Sequence, residues 1–281
     1  LMSVFSSPFN EPFHNPFGSP FNSPGVGGGV NAFSSVKAAI VANAGDVSIL
    51  SIGDSTGNET VEWVYLFGQW LATEYPTHSV SYRVWNDAAG SYDAAVAIST
   101  GSGSNTIRIW NSNVAGTVPP HLMQASKYSA SVAAVSPSLV IWNHGHNIYN
   151  SDANIRLTYD SIYSPWVEKV QATHPNAGVA VFTQNPRRDD NNYAEIYQSI
   201  VSASQNKARV TLLDSYTKFI NAGKSPSLYA DNVHPNAAGE QLYLETLQSA
   251  WRGSAISGGA PTEAWLSAAL AQTNLLANGN F

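Results

Sequence analysis

The chain has 281 residues, 43% of them apolar and 11% charged, with a net charge of −6 and no cysteine. That length supports one sizeable core, and the missing cysteines exclude disulfides, thiolate metal sites and a cysteine nucleophile. Few charges and no basic block argue against a nucleic-acid partner, and no apolar run approaches the roughly 20 residues that span a bilayer.

Residues 1–31 read as a separate arm. Pro8-Phe9, Pro12-Phe13, Pro16-Phe17 and Pro20-Phe21 recur at every fourth position and lead into Gly27-Gly28-Gly29. Proline at this density blocks helix and central strand, so an extended arm is expected. Phenylalanine is out of place in a solvated linker, which suggests docking on a larger assembly, another subunit or the arm's own domain. The N-terminus has neither the basic start nor the apolar stretch of a secretory leader, and an arm of this kind would suit a phage-tail or prophage protein.

From residue 32 to 257 apolar strands alternate with amphipathic helices, the pattern of βαβ units on a parallel sheet. Helix is expected at 33–44, strand at 47–52, helix at 59–74 and strand at 79–85. A Gly/Ser stretch at 101–104 precedes a short apolar run, Ile107 to Trp110, read as part of an inserted hairpin. Helix 120–134, strand 138–142, helix 152–173, strand 178–183, helix 191–206, strand 208–213 and helix 236–252 complete a three-layer α/β/α domain on a mostly parallel five-stranded sheet. Residues 258–281 form a C-terminal linker with a helix near 261–276, and Asn274 to Phe281 resembles the first strand of a jelly-roll carbohydrate-binding module.

In a parallel sheet the residues that follow each strand meet along one rim, where ligands bind. The first strand breaks at Gly53-Asp54-Ser55, just ahead of a helix N-terminus that favours developing negative charge. Other strands deliver Asn86-Asp87 with Gly90, then Asn143 to Asn147, then Asn185 to Arg188, and the last loop carries Asp231 to Asn236. Acyl transfer needs a nucleophile, a base, an orienting carboxylate and oxyanion donors. Ser55 supplies the hydroxyl, His234 the base, and Asp231 a carboxylate able to hold the imidazole. The N–H groups of Ser55 and Gly90 and the amide of Asn147 are the oxyanion donors. His146, Asp54, Asn185 and Arg187 on the same rim are candidates to contact substrate. The blander reading of Asp231 is a cap on the helix that follows Pro235.

The ordered set Gly53-Asp54-Ser55, Gly90, Gly145-His146-Asn147 and Asp231-Asn232-Val233-His234 resembles the SGNH (GDSL-type) hydrolases over about residues 33–252. The resemblance implies a flavodoxin-like sheet, Ser–His–Asp chemistry without a cofactor, and an oxyanion hole from Ser55, Gly90 and Asn147. One position departs from the pattern: Ile148 stands where the family often has Asp. His174-Pro175-Asn176 copies His234-Pro235-Asn236, but Gln171 stands where a carboxylate is needed. His144 and His146 look like a metal pair without further ligands, and Asp214 is the second choice for the triad acid. Aromatic loop residues such as Tyr92, Trp110 and Tyr149, with the carbohydrate-module end, favour an acetylated polysaccharide as substrate. The competing class is a glycan-binding module on an esterase scaffold.

Overall fold

The computed structural model describes residues 31–148, 155–189 and 193–253, with side chains in the second stretch from residue 160 onward. The Pro/Phe arm, the helix expected near 261–276 and the jelly-roll-like end lie outside the described residues. In chain order the elements are α1 (Ser34–Val41), β1 (Val47–Gly53), α2 (Trp63–Glu74), β2 (Ser79–Asn86), β3 (Ser91–Tyr92), β4 (Val96–Ser99) and β5 (Thr106–Asn113). They continue with α3 (Ala125–Tyr128), β6 (Leu139–Asn143), α4 (Ile155–Thr173), β7 (Gly178–Phe182), α5 (Tyr193–Ser204), β8 (Val210–Leu213), α6 (Ser215–Asn221) and α7 (Ala237–Arg252).

The sheet has eight strands rather than five, in the order β3-β2-β5-β1-β6-β7-β8, with β4 also on β2. From β2 across to β8 every pairing is parallel, while β3 and β4 run antiparallel along the outer side of β2. Apolar residues alternate between two covered faces, as parallel strands require. Ile49, Leu139 and Ile141 join α1, α2 and α7 on one side; Leu50, Val140 and Trp142 join α3, α4 and α5 on the other.

The run 107–110 is not an inserted hairpin. It is the front half of β5, which lies between β2 and β1 and pairs with both. Its apolar signal is short because the second half, Asn111-Ser112-Asn113, is polar yet buried at the rim. The Gly/Ser stretch before it lets the chain pass beneath β2: a Cβ on Gly101 would lie 2.3 Å from the carbonyl carbon of His78. The helix expected at 120–134 is broken by extended backbone at Gln124 and ends in a π-helical turn, Ser129–Ala133. Helix α6 has no counterpart among the expected elements; Asp214 caps it by accepting the Thr217 N–H at 3.1 Å.

Strand β1 is where the order of connections reverses, with β5 on one side and β6 on the other, and the crevice beyond such a strand is the preferred ligand position. Its placement rests on large aromatic side chains beneath it. Trp142 on β6 stacks on Trp166 of α4 with ring centroids 3.9 Å apart at 16°, both fully buried. Trp166→Ala should lower stability by about 3–5 kcal/mol in urea unfolding; a loss under about 1 kcal/mol would contradict this packing role.

Candidate active site

The site begins at a position that only glycine can occupy. A Cβ on Gly53 would sit 2.0 Å from Asn113 Oδ1 and 2.3 Å from the Asn143 carbonyl, because β5 and β6 close on the end of β1. The next residue, Asp54, is fully buried. Its Oδ1 accepts the Thr56 N–H at 3.2 Å and the Thr56 hydroxyl at 2.8 Å. Its Oδ2 accepts from the N–H groups of Gly145 at 3.2 Å and His146 at 3.3 Å, and from Gln184 Nε2 at 3.1 Å. Burial opposes the charge, but His146, His144 and the Gln184 amide hold this carboxyl well below the ordinary range. One side chain thus joins the turns after β1, β6 and β7.

Ser55 emerges half-buried above this anchor. Its Oγ lies 2.8 Å from His234 Nε2, and His234 Nδ1 lies 2.8 Å from Asp231 Oδ2. A proton on Nδ1 shared with Asp231 leaves Nε2 as an acceptor for the serine hydroxyl. Asp231 Oδ1 also accepts the N–H groups of Val233 at 2.6 Å and His234 at 2.7 Å. Desolvation works against it, yet those bonds and the imidazole hold the Asp231 carboxyl at about 2. Asp231 is not the cap of α7; Asn236 is, accepting the N–H groups of Ala238 and Gly239 at 3.0 and 3.3 Å.

The His234 loop is fastened to the loop after β7. Asn185 Nδ2 donates to the Val233 carbonyl at 2.8 Å, the Arg188 N–H to Asn232 O at 2.8 Å, and the Tyr229 hydroxyl to Pro186 O at 2.7 Å. Asn185 is itself held by Tyr243, whose hydroxyl bonds its Oδ1 at 2.8 Å.

Four residues expected to contact substrate therefore lie beneath the rim. Asp54, His146 and Asn185 are fully buried, and His146 Nε2 is 2.7 Å from the Asn185 carbonyl. Arg187 grips Asp189 through Nε and Nη2 at 3.0 and 3.1 Å. Their polar groups face inward because loops stacked on a sheet edge must satisfy one another before they can satisfy a ligand. His144 turns onto the Thr117 carbonyl at 2.9 Å and His174 onto the Val132 carbonyl at 3.0 Å. Ile148 packs against the α4/α5 side of the core, and its N–H closes a turn to Gly145 O at 3.1 Å. Tyr92 is no free sugar platform: its hydroxyl is spent on Ser112 and on the Ser131 carbonyl, both at 2.6 Å. Tyr149 lies outside the described residues.

The oxyanion donors need one correction. Asn147 follows His146, whose N–H binds Asp54 beside Ser55; its Nδ2 donates one hydrogen to Thr117 O at 3.0 Å and makes no other hydrogen bond among the described residues. Gly90 sits elsewhere, in the turn from β2 to β3, and its N–H is spent on Asn86 O at 2.9 Å. Strand β5 separates β2 from β1, a spacing of about 10 Å. The turn beside Ser55 is instead the one after β5, where Val114 N donates to Gly53 O at 3.0 Å. The following N–H groups, of Ala115 and Gly116, are exposed and make no hydrogen bond among the described residues. A strand read as half its true length hid this turn from the sequence.

Asp54 carries a testable sign. Its folded pKa lies below its unfolded one, so its stabilisation is complete above about pH 4 and drains away as the pH falls. Asp54→Asn should therefore flatten the acid limb of the stability curve measured by urea unfolding, besides lowering the plateau near neutrality. An acid limb unchanged by the substitution would remove Asp54 as the anchor.

No protein-family model matches the chain, and no curated protein matches it in sequence. Solved structures do. A Parabacteroides merdae protein assigned as a GDSL-like lipase superposes with a TM-score of 0.54 at 17% identity, covering 74% of this chain and 96% of that one. A peptidoglycan O-acetylesterase gives 0.58 at 11% identity, covering 79% and 95%. A two-domain esterase active on acetylated mannans gives 0.53 at 16% identity, covering 83% of this chain and 56% of that one. The chain has the α/β/α fold of the SGNH (GDSL-type) hydrolases.

Proposed function

We propose that the protein is a serine esterase that removes O-acetyl groups from a polysaccharide. The observation that carries the reading is the continuous chain from Ser55 Oγ through His234 to Asp231, 2.8 Å at each step. Ser55 Oγ attacks the ester carbonyl carbon while its proton passes to His234 Nε2. Asp231 keeps the imidazole oriented and stabilises the imidazolium. The carbonyl oxygen, now negative, takes hydrogen bonds from the Ser55 N–H, Asn147 Nδ2 and the free N–H groups of Ala115 and Gly116. Collapse of the tetrahedral intermediate breaks the bond to the sugar oxygen, which leaves with the proton from His234. Water then attacks the acetyl-serine by the same route and releases acetate. These steps are complete with the side chains named.

The substrate class draws on two supports. The peptidoglycan O-acetylesterase and the esterase active on acetylated mannans share this fold. The turn beside Ser55 is also built from small residues, Ala115 and Gly116, which suit a short acyl group.

Ser55→Ala should reduce release of acetate from acetylated mannan, or of 4-nitrophenol from 4-nitrophenyl acetate, by about 10³-fold or more. Asn147→Ala should lower kcat by about 10²–10³-fold while leaving KM nearly unchanged. Activity that survives in Ser55→Ala would place the nucleophile elsewhere, and faster turnover of long-chain esters than of acetates would overturn the substrate class.

A further inference from the structure

A buried carboxyl group that the reaction scheme leaves unused links the two halves of the site. Ser55 and His234 lie 179 residues apart in the chain, and each is followed by a helix, α2 and α7 respectively. Helix α2 begins without a side-chain cap from Glu62, the residue at its N-cap position. The N–H of Trp63, its first residue, instead donates to Glu240 Oε2 on α7 at 2.8 Å. Glu240 is one turn into α7, its own N–H bonded to the Asn236 carbonyl at 2.8 Å. Two residues before Asn236 stands His234. The tie is thus short on both sides, through a single helical turn to the base and through the 56–62 segment to the nucleophile.

The surroundings of Glu240 are unusual for a mere cap. Its side chain is buried, and Oε1 makes no hydrogen bond among the described residues. Trp63 and Tyr243 stack with centroids 6.2 Å apart. The titratable groups that face it are Glu62 at the entry to α2 and Tyr243 on its own helix; no cation pairs with it among the described residues. Burial, and then the neighbouring Glu62, push the Glu240 carboxyl up to about 9 against the pull of the Trp63 N–H, so it is neutral over the working range. Glu62 is itself pushed up to about 7, chiefly by burial.

On the esterase reading above, we propose that Glu240 is a positioning residue: its side chain fastens the helix after Ser55 to the helix after His234 and so sets the separation of their reacting atoms. Misplacement of reacting groups by about 1 Å can cost on the order of 10²-fold in rate, and among the described residues this hydrogen bond is the polar tie between the two helices that lies nearest the pair. Glutamine has the same shape, keeps an acceptor for the Trp63 N–H and keeps a donor where the protonated acid has one. It differs in being unable to ionise.

The test compares Glu240→Gln and Glu240→Ala with the wild type on 4-nitrophenyl acetate across pH, with fluorophosphonate labelling of Ser55 and thermal melting alongside. Glu240→Ala, assayed well below its Tm, should lose roughly 10–100-fold in kcat with little change in KM, and its labelling rate should fall in step. Glu240→Gln should stay within about threefold of wild type. Wild-type kcat should decline above about pH 9, as a second charge forms beside Glu62, and Glu240→Gln should lack that decline. A folded Glu240→Ala with a lower Tm but full kcat makes Glu240 a structural cap only and overturns the proposal. So does a Glu240→Gln enzyme whose alkaline decline matches the wild type, which decides the matter if the alanine variant does not fold. A wild type that neither turns over esters nor labels sinks the esterase reading and this proposal together; an active wild type with an indifferent Glu240 sinks this one alone.

Discussion

A carboxylate with no exposure sits beneath this rim, and the turns after β1, β6 and β7 are arranged around satisfying it. Asp54 accepts from Thr56, from the backbone of Gly145 and His146, and from Gln184. A buried anion without such donors would cost several kcal/mol, so those turns are not free to drift apart. Ser55 stands on one side of Asp54 and Asn147 follows the two N–H groups that bind it. Asp54 thereby ties the turn that bears Ser55 to the turn that bears Asn147.

A second set of constraints brings in the base. The loop bearing Asp231 and His234 has little regular structure, and exposed loops of this kind are ordinarily the most variable part of a fold. Here it is closed by its own Tyr229–Pro235 bridge and by Asn185, Arg188 and Tyr229 at its junction with the loop after β7. Behind it, a Cβ on Gly239 would meet the Leu228 carbonyl at 2.3 Å, so α7 enters pressed against that loop. The imidazole is therefore delivered by a braced loop and a capped helix, and its 2.8 Å approach to Ser55 follows from the bracing.

Much of this was readable in advance, and the failures share a cause. Strands β1, β6 and β7 are mostly apolar and buried on both faces, so their runs mark them plainly. That Ser55, His234 and Asp231 would lie side by side was legible because all three fall in loops expected at one edge of the sheet. Strand β5 was misread because its second half is Asn111-Ser112-Asn113, polar residues that a central strand rarely carries. They are there because Asn111 Nδ2 holds the Gly57 carbonyl at 2.8 Å and Asn113 Nδ2 holds the Ser51 hydroxyl at 2.8 Å. That single error led the sequence reading to Gly90 as an oxyanion donor, on a turn two strands away from β1. Asp54, His146, Asn185 and Arg187 were assigned to the right rim at the wrong depth, since a polar residue at a strand end reads the same whether it faces a ligand or a neighbouring loop.

The most direct test of the account is a crystal structure of the protein after reaction with a small alkyl fluorophosphonate. The account predicts phosphorus bonded to Ser55 Oγ, with the phosphoryl oxygen within about 3 Å of the Ser55 N–H, Asn147 Nδ2 and an N–H from the Ala115–Gly116 turn. An adduct on another residue, or a phosphoryl oxygen turned toward Gly90, would contradict it.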